Sequence, residues 1–310
     1  MFFRSTVEAD LDALLACAVD EPISWAEPRR LRDYLAGGQY RHDRIWVAEH
    51  DGRILARAVW WGFAGTGKPL ALDCVWVHES VDDRVALAAD LLKAAHEAFG
   101  DRPEYHIFLP NGWRELPEVA AALAWRREAA ERAGLTGELE RLRYEWTPRA
   151  GVAEPTGRLV FHPEPDDQVF LDVFAQVAEG SLDVDTVRSL ASSSAEEQAR
   201  ETLETYTAMK GERDWWRLAR TAEGELVGFA LPSANDGGPV VGYLGVVPGQ
   251  RGRGYVGELL DEITRFLAAR GAQRIAADTD TTNLPMAGAF ERAGYRNFAV
   301  RLVLSPENPF

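Results

Sequence analysis

The chain has 310 residues, 46% of them hydrophobic, and a formal net charge of −15. So acidic a balance argues against nucleic acid or an anionic membrane surface as the main partner, and favours a cationic or neutral one. Two cysteines, Cys17 and Cys74, with no CxxC and with six scattered histidines, indicate neither a disulfide framework nor a metal site. The opening residues lack a signal-peptide pattern, and no stretch is long and apolar enough to span a bilayer, so a cytoplasmic location is expected.

In chain order, Phe2, Phe3 and Arg4 read as a short strand. A helix carrying Leu11, Leu14, Leu15 and Val19 follows, capped by Thr6 or Asp10, and a second runs from Pro28 to the stop at Gly37 and Gly38. Residues 45–49 and 54–60 are strands joined by an Asp51-Gly52 hairpin turn, and 70–77 is a third. The glycine-rich stretch 62–69 imitates a phosphate loop, but Pro69 stands where a hydroxyl is needed and no helix follows, so it reads as a plain loop. Residues 85–99 are a helix, 105–109 a strand, 123–133 a helix ending at Gly134, and 139–146 a strand.

After a Pro/Gly-rich stretch the order repeats: strand 159–161, helices 167–178 and 194–209, strands 215–219 and 226–230 about the turn at Glu223 and Gly224. The organising stretch comes next. Val240, Val241, Leu244, Val246 and Val247 suit a buried strand, but Gly242 and Gly245 within it suggest a bulge or a close ligand approach. Pro248 and Gly249 end that strand. Val256, Leu259, Leu260, Ile263, Phe266 and Leu267 then recur at helical spacing until Gly271. Residues 251–254 therefore sit at a helix N-terminus, where free N–H groups, small residues and two arginines favour an anion. A strand over 274–280, Asn283, a helix through Met286 and Phe290 to Gly294, and a strand over 299–304 complete the chain.

The run from Val240 to Leu304 resembles the GNAT superfamily of N-acetyltransferases. Arg251-Gly252-Arg253-Gly254-Tyr255-Val256 is similar to that family's pyrophosphate loop, and Asn283, Gly294 and Tyr295 to its later signature. Val256 departs from the usual small residue, although Gly257 follows it. Phe290 stands where many members carry a tyrosine. The repeated order, together with Glu131-Arg132-Ala133-Gly134 recurring as Glu291-Arg292-Ala293-Gly294, indicates a duplication. The expectation is an α/β (α+β) mixed-sheet chain of two tandem GNAT domains, with residues 1–150, a linker over 151–157, and residues 158–310. The duplicated order is similar to that of the mycothiol synthase family of GNAT proteins, which implies a working second half. In the first copy, Asp82 and Asp83 stand opposite Gln250 and Arg251, and Arg84, Val85 and Ala86 opposite Gly252, Arg253 and Gly254. Carboxylates repel a pyrophosphate, so cofactor binding is expected only in the second copy, the Asp82-Asp83 pair also serving in helix capping.

The resemblance implies transfer of an acetyl group from acetyl-CoA, as co-substrate and without metal, to the amine of a small acceptor. It places Leu244, Gly245 and Val246 at the thioester, with a Val246 N–H as oxyanion donor, and residues 251–257 (Arg251, Gly252, Arg253, Gly254, Tyr255, Val256, Gly257) at the pyrophosphate. Asn283 and Phe290 fall beside the pantetheine arm. Asp278, five residues before Asn283, is the candidate base, with Asp280 on the same strand face. Phe290 cannot protonate the leaving thiolate; Tyr243, Tyr255 and Tyr295 are the nearest alternatives in sequence. The tryptophans Trp25, Trp46, Trp60, Trp61, Trp76, Trp113, Trp125 and Trp146 crowd the first half and read mainly as packing, with an aromatic acceptor pocket as the alternative. The rival functional reading is a non-catalytic acyl-CoA sensor or interaction module.

Overall fold

The computed structural model describes residues 1–17, 22–23 and 27–306. Val19 and Trp25 lie outside the described residues. Two compact units emerge: Met1–Glu140 with Val300–Phe310, and Arg141–Ala299. The first carries strands β1 (Phe2–Ser5), β2 (Ile45–His50), β3 (Arg53–Trp61), β4 (Ala71–Val77), β5 (Glu104–Pro110) and the start of β6 (Gly137–Trp146). Its helices are α1 (Leu11–Leu15), α2 (Pro28–Ala36), α3 (Arg84–Phe99) and α4 (Pro117–Arg132). The second carries β7 (Leu159–Pro163), β8 (Arg217–Thr221), β9 (Leu226–Asn235), β10 (Gly238–Val246) and β11 (Ile275–Asp280), with α5 (Asp167–Ala178), α6 (Val184–Ser192), α7 (Ala195–Thr207), α8 (Tyr255–Ala269) and α9 (Leu284–Arg292). The last strand is β12 (Arg296–Ser305).

In the first unit the strands run in the order β1, β2, β3, β4, β5, and residues 300–305 of β12 lie beside β5. In the second the order is β7, β8, β9, β10, β11, completed by residues 141–146 of β6, which pair antiparallel with β11 from Ile275 opposite Trp146 to Asp280 opposite Arg141. Each unit thus takes its final strand from the other half of the sequence, and the unit boundary falls inside β6 rather than in the 151–157 stretch. Composition cannot reveal this, because exchanging two similar end strands leaves every local pattern intact.

The second unit buries both faces of its sheet. Ala219, Val227, Ala230 and Ile275 pack with Leu259, Leu260, Ile263 and Leu267 of α8. Leu218, Phe229 and Leu231 pack with Phe170, Val173, Phe174 and Val177 of α5. Several details differ from sequence expectation. Arg213–Trp215 form a single 3-10 turn, so β8 starts two residues later than the paired tryptophans suggest. Helix α4 starts at Pro117, proline at the first turn being compatible with a helix start. Helix α6, rich in Ser, Thr and Asp, was not expected at all; Asp183 caps it by accepting from Thr186 N–H at 2.9 Å.

In the first unit, Asp83 caps α3 by accepting from Ala86 N–H at 2.9 Å. The parallel strands β4 and β5 are in register at Ala71 with Glu104 and Leu72 with Tyr105. Beyond those pairs, Arg126 of α4, 1% exposed, donates to the Val75 carbonyl at 3.2 Å. Cys17 and Cys74 are buried free thiols. No helix of the described residues is long and apolar enough to cross a membrane.

Candidate active site

A cleft opens in the second unit because β10 and β11 diverge. Their parallel register is held at Val240 with Ala276, while β10 stays paired to β9 as far as Val246 opposite Gly228. The ladder to β9 shifts between Val241 and Tyr243, so Gly242 is a bulge. A side chain there would meet the Leu231 carbonyl and Ser233 Cβ, both at 2.7 Å. Backbone N–H groups alternate between the edges of a strand. Since Val247 N–H bonds the Val227 carbonyl at 2.9 Å, the Val246 N–H faces the other way, toward the gap beside β11. Gly245 serves packing: a Cβ there would lie 2.3 Å from Val177 Cγ1 of α5.

The turn after β10 leads into α8. Gly252 and Gly254 have φ of 78° and 80°, in the left-handed region, and Gly254 is the N-cap residue. A Cβ at either would meet nothing within 4 Å, so the backbone is open to an approaching group. First-turn N–H groups lack partners within the helix and carry its positive dipole end. Arg251 has a different task from the loop's glycines. Its guanidinium donates to the carbonyls of Val246 (3.0 Å), Gly180 (3.0 Å) and Val177 (2.8 Å), tying the turn to the end of β10 and to the C-terminus of α5.

A cavity of about 840 Å³ joins the gap to the turn. Leu244, Gly245, Val246, Arg251, Gly252, Gly254, Tyr255, Val256, Asp278, Asn283 and Phe290 all line it; Arg253 and Gly257 do not. Asn283 caps α9, its Oδ1 accepting from Met286 N–H at 3.3 Å. Phe290, 2% exposed, stacks on Tyr144 at 5.0 Å between centroids, with the planes 23° apart. Asp278 stands on β11 with Arg143 Nε at 3.4 Å. Asp280 does not line the cavity and is buried in an anchor. It accepts from Val184 N–H at 2.7 Å and lies 3.2 Å from Arg141 Nε, so it fastens the start of α6 to the sheet. Burial raises its pKa, opposed by Arg141 and the Val184 N–H.

The far wall was missed in the sequence because α6 was missed. Helices α6 and α7 bring Asp183, Asp185, Gln198, Glu201 and Tyr206 to the cavity. Arg141 lies 3.4 Å from Asp183 and 2.8 Å from Asp185, and these carboxylates raise its pKa against the effect of burial. Tyr206 and Tyr243 stack at 5.4 Å with planes 8° apart. Burial pushes the Tyr243 hydroxyl up to about 12. Of the three alternative hydroxyls, Tyr243 and Tyr255 line the cavity. Tyr295 is turned into the core, 2.7 Å from Thr264 Oγ1. The cavity's aromatic wall is made of Tyr206, Tyr243, Tyr255 and Phe290 and contains no tryptophan.

The cleft of diverging parallel strands, with a glycine turn and helix N-terminus beside it, falls within a stretch that resembles a known acetyltransferase family. Residues 184–295 match the model of the acetyltransferase (GNAT) family. A GCN5-related N-acetyltransferase from Sphaerobacter thermophilus is similar in structure, with a TM-score of 0.60 and 18% identity over 97% of this chain and 94% of that one. The GCN5-related glucosamine N-acetyltransferase region of a fungal multi-domain GH3 β-N-acetylglucosaminidase is similar with a TM-score of 0.59 and 12% identity, over 97% of this chain and 38% of that one. At such identities the two structures speak for the fold. Residues 184–295 are thus similar to a GNAT acetyltransferase domain, and that family uses acyl-CoA as co-substrate and amines as acceptors.

Proposed function

We propose that the second unit transfers an acetyl group from acetyl-CoA to a primary amine of a small molecule in the cytoplasm, by direct attack on the thioester. The reading rests on one observation: the Val246 N–H, the glycine turn and Asp278 converge on a single cavity. The cradle fits the co-substrate. Open left-handed glycines and helix N–H groups suit a pyrophosphate, and the gap between β10 and β11 suits an extended arm that pairs with a strand edge. The amide group of Asn283, whose oxygen is taken by the cap, offers N–H donors to that arm.

In the reaction a neutral amine nitrogen forms a bond to the acetyl carbon, and the carbon–sulfur bond breaks. Val246 N–H is the fixed donor for charge building on the carbonyl oxygen. Asp278, oriented by Arg143, takes the proton lost by the amine, directly or through water. The sulfur leaves as thiolate and is protonated to the CoA thiol. Phe290 offers no proton, and with a thiol pKa of about 8.5 a thiolate is a tolerable leaving group near neutral pH. Tyr243 and Tyr255 are the hydroxyls in the cavity that could assist. The first unit lacks the glycine turn, carries Asp82 and Asp83 in its place, and has Arg126 in the corresponding strand gap, so one acetyl-CoA per chain is expected.

Calorimetric titration with acetyl-CoA tests this reading. One site per chain at micromolar affinity, about −8 kcal/mol, lost in Gly254→Asp, is the expected result. Two sites, or undiminished binding by the variant, would overturn the assignment. Binding without acetyl transfer to any amine would favour the acyl-CoA sensor.

A further inference from the structure

We infer that the acceptor is a di- or polycationic amine, one nitrogen presented to the thioester while a second, protonated nitrogen is held at the wall formed by α6 and α7. The inference rests on the proposed transfer reaction and names the class of its acceptor.

Charge is unevenly distributed among the residues lining the cavity. Its end at the turn is lined by Gly252, Gly254, Tyr255 and Val256 and by Arg251, with no carboxylate among them. Helices α6 and α7 bring Asp183, Asp185 and Glu201 to the cavity, where Arg141, also a lining residue, pairs with Asp183 and Asp185. Arg141 is also shared with Asp280 behind it. Asp278 has its own partner in Arg143 and does not relieve the imbalance. One arginine cannot neutralise Asp183 and Asp185 together, and Glu201 adds to the excess. A local surplus of negative charge attracts a cation.

Two further features point to a donor-bearing ligand. Gln198 of α7, 8% exposed and part of the cavity wall, spends its amide N–H on Thr202 Oγ1 at 3.0 Å. Its Oε1 is buried without a hydrogen-bond partner among the described residues, an arrangement that is costly unless a donor arrives. The stacked pair Tyr206 and Tyr243 lines the same cavity, supplying the π surface on which an alkylammonium packs. An acceptor amine carrying a carboxylate would meet this wall with like charge.

Acetyl transfer from acetyl-CoA is measured by thiol release with three acceptors of equal chain length: a monoamine, an α,ω-diamine and an ω-amino acid. The expected order of kcat/KM is diamine over monoamine over amino acid, with the diamine ahead of the monoamine by about tenfold or more. Raising salt should narrow that ratio. Asp185→Asn and, independently, the exposed Glu201→Gln should each lower the diamine-to-monoamine ratio while acetyl-CoA binding measured calorimetrically is retained. Equal rates for diamine and monoamine, or a preference for the amino acid, would overturn the inference while leaving the transfer reaction standing. Failure to bind acetyl-CoA would overturn the transfer reaction and this inference with it.

Discussion

Gly245→Ala should destabilise the second unit and slow the enzyme through one steric contact. The added Cβ would lie 2.3 Å from Val177 Cγ1 and 3.1 Å from the Phe229 ring, where carbon atoms prefer roughly 3.5–4.0 Å. Val177 is buried in α5 and branched at Cβ, so a rotamer change offers little relief. Either α5 or β10 must move, and overpacking of this kind costs about 1–3 kcal/mol. For a unit of this size that lowers Tm by about 2–4 °C per kcal/mol. Movement of β10 also displaces the adjoining Val246 N–H, so kcat should fall as well. Val177→Ala removes the clashing atom, at a cost of about 1.6 kcal/mol for two buried methyl groups at ~0.8 kcal/mol each. In the double variant the overpacking term disappears, so its loss of stability should be smaller than the sum of the two single losses by about 1–3 kcal/mol. Urea unfolding of the four proteins, followed by tryptophan fluorescence, measures the cycle. Strict additivity, or a Gly245→Ala protein as stable as the parent, would refute the packing account and return Gly245 to a ligand-contact role.

Asp278→Asn should lower kcat by about 10²–10⁴ and leave the calorimetric affinity for acetyl-CoA within about twofold; an unchanged kcat removes Asp278 from proton transfer. Arg251→Lys cannot reach three carbonyls at once, so KM for acetyl-CoA should rise by about tenfold, each lost charged hydrogen bond contributing roughly 1.5–3 kcal/mol before relaxation; wild-type kinetics in the lysine variant would deny the tie between turn and strand. In the first unit His96 is 5% exposed beside Trp60, and burial lowers its pKa from 6.5 to about 4, with the Ala133 carbonyl opposing and Arg102 and Asp101 nearby. The unfolded chain therefore protonates it first: its contribution is complete above pH 6.5, declines as pH falls toward 4 and levels off below, a loss on the order of 3 kcal/mol. Urea melts between pH 7 and 4 should show that slope, and His96→Leu should remove it.

Legibility in the sequence followed the locality of the signal. Residues 251–254 were readable because a turn into a helix N-terminus needs φ values that glycine supplies, and this need is visible in a few adjacent residues. Gly245 was readable as special but not in its cause, since its neighbour Val177 lies far off in the chain. Helix α6 was hidden because Ser, Thr and Asp have poor helical propensity. Its stability comes from outside: the Asp183 cap, and the buried Asp280 on its first N–H. The Asp183 cap ahead of the first-turn Asp185 was the available signal. With α6 went the whole acidic wall of the cavity. Asp280 illustrates the same limit, for strand alternation places it on the face of Asp278, while only tertiary structure separates an anchor from a residue of the cavity.

The two units differ in what occupies the space beside their parallel strands. The repeated Glu-Arg-Ala-Gly segment sets Arg126 of α4 at the position of Met286 of α9, each five residues before the repeated Glu. Met286 lines the open cavity of the second unit. Arg126 instead reaches between the parallel strands, donating to the Val75 carbonyl, and it also hydrogen-bonds Tyr105 of β5. A strand gap left empty would strand backbone carbonyls out of contact with water, and a buried guanidinium is one of the few groups that can satisfy them. In the second unit the gap is left accessible, and in the proposed reaction the co-substrate's own amides would pair with the strand edge. In the first unit Asp83 caps α3, the role a carboxylate at a helix N-terminus suits.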